Sequence, residues 1–147
     1  MTYNVLNLGS DGFLAVVNVR EGSELLGKET VRLVKYDTAL HEQWQQAYTG
    51  TGAVFQYLHY QEARKVHFLH PITTRQLEVI TVDLDRGAVV PQRIKTATPL
   101  KVSHFAAQNR RFFLGGRHND QPVVICHEPA NQIQKVLPGL HRYRSLL

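Results

Sequence analysis

Val31-Arg-Leu-Val-Lys-Tyr-Asp37, Leu77-Glu-Val-Ile-Thr-Val-Asp83 and Pro122-Val-Val-Ile-Cys-His-Glu128 are three versions of one phrase. Each is a short run rich in apolar and β-branched residues that closes on an acid, where the chain is expected to turn. The closing acids Asp37, Asp83 and Glu128 lie 46 and 45 residues apart. That spacing accommodates four short strands and their connections, so the phrase marks a repeat.

Working outward for a period of two, rather than the 3.6 of a helix, gives twelve strands. They fall at about 3–9, 12–20, 29–37 and 42–49, then 53–60, 65–72, 76–83 and 88–96, then 100–107, 110–117, 122–128 and 133–140. Turn residues such as Asp85-Arg-Gly87 and Asn119-Asp120 separate them. The two later groups superpose at an offset of 45, with Phe68-Leu69 on Phe113-Leu114, Val79-Ile80 on Val124-Ile125, Phe55 on Leu100 and His59 on His104.

The segment Asp37 to Ala47 also reads as a helix, with an aspartate cap and with Leu40 and Trp44 at i, i+4. Its counterparts Ala88-Val-Val-Pro-Gln-Arg-Ile-Lys95 and Ile133-Gln-Lys-Val-Leu-Pro-Gly139 carry β-branched residues and an interior proline, which oppose a helix. The repeat therefore predicts a strand at 42–49. Pro91 and Pro138 both fall in the fourth strand of a group, which suits an outermost strand because proline cannot donate to a second neighbour.

Over residues 3–140 this pattern resembles the β-propeller superfamily. The third group, Arg111-Phe-Phe-Leu-Gly-Gly-Arg-His-Asn-Asp-Gln-Pro-Val-Val-Ile-Cys-His-Glu128, looks like a kelch blade through its Gly115-Gly116 pair. The other groups have Val16-Val17 or His70-Pro71 near that place, and no group has the Trp-Asp dipeptide of WD40 repeats. The resemblance implies an all-β chain, one domain over residues 1–147 with repeats at about 3–50, 51–97 and 98–141. It further implies three four-stranded antiparallel propeller-type blades. Propellers close with four to eight blades, so three imply a partial propeller, completed by further sequence or by a partner chain, or half of a six-bladed ring formed by a homodimer. The tail His141 to Leu147 has no cap of its own, in keeping with truncation or with a bond to another subunit.

Composition supports a globular chain: 147 residues, 43% of them hydrophobic, suffice for one core. Neither a basic, apolar leader nor a run of about eighteen apolar residues is seen, so a targeting segment or membrane span is not expected and the cytoplasm is the expected compartment. The single Cys126 lies in an apolar run and reads as a buried thiol. Charge is uneven, at −2 over residues 1–60 and +7 over residues 61–147. An acidic protein partner fits that excess. Nucleic acid fits less well, because Arg64-Lys65 and Arg110-Arg111 are scattered turn pairs rather than a stripe.

A nucleophile elbow, a phosphate loop, a zinc-binding His-Glu-x-x-His and a cysteine pair are all missing, although absence of motifs is not absence of activity. His67 and His70 sit three apart in a strand and point to opposite faces, so no metal site and no cofactor are expected. His59 and His104, on first strands, are candidates to face the axis of a ring and bind a small molecule or glycan there. Arg75, Arg117 and His118, in loops between second and third strands beside Glu21 to Lys28, are the candidate contacts for an acidic partner. Asp83 and Asp85 offer a carboxylate pair, though turns use aspartate routinely. The reading is a non-catalytic binding or scaffold module that acts through its faces. The alternatives are a propeller hydrolase or lyase with a site completed by another chain or by missing blades, and the axial ligand binder.

Overall fold

The computed structural model describes residues 2–21, 28–50, 52–128 and 133–138. The expected loop over 22–27, the end of the last strand at 139–140 and the tail 141–147 lie outside the described residues. The fold is all-β. Its strands are β1 (Thr2–Asn7), β2 (Phe13–Glu21), β3 (Lys28–Tyr36), β4 (Glu42–Thr49), β5 (Leu58–Glu62), β6 (Lys65–Thr73), β7 (Gln76–Asp83), β8 (Val89–Lys95), β9 (Lys101–Gln108), β10 (Arg111–His118), β11 (Gln121–Glu128) and β12 (Ile133–Pro138). They form three antiparallel four-stranded sheets in chain order, β1-β2-β3-β4, β5-β6-β7-β8 and β9-β10-β11-β12. The helix-like segment at 37–47 is a tight turn followed by β4, as the repeat predicted. Asp37 makes that turn, its Oδ1 accepting from the backbone N–H groups of Ala39 and His41 at 2.9 and 2.8 Å. The proline-bearing strands β8 and β12 lie at sheet edges, where a missing N–H costs no ladder bond.

The middle sheet is buried on both faces, and alternation assigns each side chain to one of two cores. Val66, Phe68, Ile80 and Val82 pack with Leu14, Val16, Val31 and Leu33 of the first sheet. Leu69, Leu77 and Val79 pack with Leu114 and Ile125 of the third. Cross-strand pairs Phe68 with Ile80 and Leu69 with Val79 hold the two sets back to back. Phe55, in a 3-10 turn over Gly52–Gln56, plugs the first core edge-on to both Phe68 and Tyr48. It is not in a strand: the strand expected at 53–60 begins only at Leu58, because the chain first dips inward to bury Val54 and Phe55.

Polar ties fix the spacing between sheets. Trp44 Nε1 donates to Leu84 O at 2.8 Å, and its ring lies over Gly87, whose φ of 76° and lack of Cβ permit the contact. Tyr57 Oη donates to Val102 O at 2.8 Å across to the third sheet. The 96–100 crossover is strapped to the β6–β7 hairpin by Thr96 N–H to Arg75 O and Leu100 N–H to Thr74 O.

Two single-residue irregularities correct the uniform offset of 45. In β9 the register breaks between Gly115 and Gly116, which pair with His104 and Val102, leaving Ser103 as an extra residue. In β6 it breaks between Pro71 and Thr73, leaving Ile72 extra. Between these bulges the third sheet runs one residue later than expected. Leu114, paired with Ile125, therefore occupies the place of Phe68, paired with Ile80, and the expected match of Phe68-Leu69 with Phe113-Leu114 is shifted by one. Phe55 and Leu100, which precede the slip, keep equivalent places as plugs of successive cores.

Candidate functional site

The shift decides the histidine question. His59 pairs with Phe68, on the face of the middle sheet that looks toward the first sheet. The residue in the corresponding place of β9 is Phe105, paired with Leu114. His104 pairs with Gly115 on the opposite, outward face of the third sheet and is exposed, its Nδ1 2.9 Å from Ser103 Oγ. A slip of one residue reverses a side chain, so His59 and His104 do not occupy matching positions or form a pair.

The three candidate contacts are placed as follows. Arg75 is exposed in the β6–β7 turn, where its N–H bonds to Thr73 Oγ1. Arg117 and His118 are not loop residues: β10 runs through His118, because Asn119 and Asp120 adopt φ of 49° and 62° and close the hairpin in two residues. Arg117 points to the outer face of the third sheet opposite Lys101, and His118 is half-buried beside Asn119. Asp83 caps its own turn through the Asp85 and Arg86 N–H groups, while Asp85 is clamped by Arg64, which also reaches Asp11 at 3.3 Å. The carboxylate pair is thus committed to turn structure.

Two features sequence reasoning did not find are more substantial. One is a cleft of about 670 Å³ between the middle and third sheets, lined in part by Glu62, His67, Thr81, Gln92 and Arg110. At its base the buried His67 ring bridges Thr81 Oγ1 at 2.8 Å from Nδ1 and Glu62 Oε2 at 3.0 Å from Nε2, with Phe112 edge-on at 5.4 Å. Glu62 Oε1 accepts the Asn109 N–H at 2.7 Å, joining the two sheets. His67 faces the third sheet and His70, paired with Glu78, faces the first, as their spacing predicted. A polar residue between Val66 and Phe68 was the available signal; its partners were not legible.

The other feature is the pair of outer sheet faces, on the first and third sheets, against which no other sheet packs among the described residues. On the outer side of the first sheet Val5, Ala15 and Val34 lie side by side in register, flanked by Phe13, Val17 and Tyr36. Val5 is 64% exposed. The outer side of the third sheet carries Phe113, Val124 and Cys126, with Val124 42% exposed. No family model, curated protein or solved structure matches this chain. Among the described residues no helix is long and apolar enough to cross a membrane.

Burial holds the imidazole pKa of His67 below its ordinary value despite the opposing pull of Glu62, and burial does the same to His127. His127 Nδ1 meets no hydrogen-bond partner among the described residues. The unfolded chain therefore takes up protons first, and stability rises with pH across this window. It should be full above the unfolded-state value of about 6.5 and fall below it, by at most about 1.4 kcal/mol per pH unit for each imidazole, until the folded-state values are passed. Urea midpoints at about pH 7.5 and about pH 5.5 check this, with His127→Gln expected to lose less between them.

Proposed function

We propose that this chain is a non-catalytic protein-interaction module, a partial propeller of three blades that works through the faces its terminal sheets leave free. The observation that carries the reading is the pair of outer faces with exposed valines: Val5 is 64% and Val124 42% exposed, and Val124 stands where the middle sheet buries Val79. The propeller assignment is supported by first strands that approach one another, β5 beside β9, with the fourth strands outermost. In the kelch-like third repeat, Gly115-Gly116 lie against the β9 bulge. The basic residue Arg117, on the outer face of the third sheet, suits an acidic partner.

The competing reading is hydrolytic, and the hydrogen-bonded line of Thr81, His67 and Glu62 beside a cleft favours it. Against it, Glu62 Oε1 is tied to the Asn109 N–H and Phe112 lies edge-on against the ring, so the line is built into the packing of two sheets.

The test compares intact chain with Val5→Glu and Val124→Glu variants as bait, and with Arg75→Ala as a surface control. Self-association or partner capture should fall at least tenfold with the face variants and by less than threefold with Arg75→Ala. Binding indifferent to both face variants overturns the reading, as does ester or glycoside turnover abolished by Thr81→Ala.

A further inference from the structure

The two free faces are related to each other by the repeat itself. In each internal contact a later sheet presents one kind of face to an earlier one: Phe68 with Ile80 toward the first sheet, Leu114 with Ile125 toward the second. The first sheet has the same face, with Ala15 and Val34 as the corresponding pair; Val34 is 7% exposed, and among the described residues no other sheet covers this face. Conversely, Val16 with Leu33 and Leu69 with Val79 are the faces that receive a later sheet. Their counterpart on the third sheet is Gly115 with Val124, again uncovered among the described residues. What each free face lacks has the form of the other.

Charge points the same way. Residues 1–50 carry four Lys/Arg against six Asp/Glu, whereas residues 98–147 carry seven against two. The outer face of the third sheet includes Lys101, His104 and Arg117. Joining two third sheets would oppose like charge, which disfavours that pairing.

We propose that a second copy of this chain covers both faces, the first sheet of each copy seated on the third sheet of the other, closing a ring of six sheets about a twofold axis. The proposal rests on the reading of the free faces as interaction surfaces and names their occupant. Each contact is head to tail, and two of them close because the rotation returns to its start. Six blades lie within the range in which propellers close.

The experiment is solution mass by light scattering over a concentration series, on the full chain and on Val5→Glu and Val124→Glu. Both positions are exposed, so circular dichroism should show both variants folded. The parent should run at twice 16.8 kDa. Each variant damages both contacts of its own dimer and should run as a monomer. Mixed in equal amounts the variants retain one undamaged contact, Val5 of one copy against Val124 of the other, and a dimer should reappear. A monomeric parent, an open series of higher masses, or a dimer that survives Val124→Glu each overturns the second-copy ring. If a monomeric parent still captures a different protein, and the face variants abolish that capture, the interaction-module reading stands while the ring fails.

Discussion

Replacing Phe68 with alanine is expected to remove about 3–5 kcal/mol of folding stability, a large share of what a domain of this size ordinarily has. Phe68 is fully buried and stands at the centre of the core between the first and middle sheets. Its ring meets Phe55 edge-on at 4.9 Å and lies 6.2 Å from His59. Truncation loses the transfer free energy of the ring and leaves a hollow that β-sheets on both sides, pinned by their ladders, cannot close. Ala15 occupies the corresponding place on the first sheet, where its face is free, so a large side chain is not a requirement of the repeat as such. It is a requirement of a covered face. Chemical denaturation followed by tryptophan fluorescence reads the loss, since Trp44 packs on the same core. A change below about 1 kcal/mol would mean that the first and middle sheets do not pack as described.

Gly116→Ala is expected to cost about 1–3 kcal/mol, and Gly115→Ala distinctly less. A Cβ on Gly116 would fall 2.1 Å from the carbonyl oxygen of Lys101, a backbone atom of the neighbouring strand that cannot rotate away. A Cβ on Gly115 would meet the His104 side chain, nearest at its Cβ, 3.2 Å away. The difference arises from the bulge at Ser103, which draws β9 toward β10 at Gly116. Equal effects at the two glycines, measured by urea midpoint, would count against that bulge. Deleting Ser103 should partly offset Gly116→Ala, because it removes the cause of the close approach.

The double glycine shows how far the sequence could be read. As a motif it suggested a kelch blade; in the structure one glycine admits a neighbouring carbonyl and the other lies beside His104. The strand pattern was legible because each sheet has at least one buried face, and a buried face imposes alternation on every strand that contributes to it. The fourth strands were legible from Pro91 and Pro138, since the missing N–H confines proline to an edge. Strand ends were less legible. Asn119-Asp120 close a hairpin in two residues and so carry β10 through Arg117 and His118, which a loop reading had set outside the strand.

The candidate site was hardest to anticipate. His59 and His104 matched at an offset of 45, yet the extra Ser103 turns His104 to the opposite side of its sheet. The extra Ile72 restores the offset one hairpin later, so the acids 45 residues apart conceal both irregularities. His67, Glu62 and Thr81 are separated by 5 and 14 residues and are joined only by strand pairing and the β5–β6 turn.

The sequence by itself determined the strands, their grouping by fours, the edge position of the proline strands and the uneven charge, because these follow from local period, backbone chemistry and composition. Tertiary structure alone decided which face each side chain serves, how His67 is partnered and which two faces no other described sheet covers. A single inserted residue leaves the alternation within a strand intact while reversing its relation to the next, and only the pairing of strands records that change.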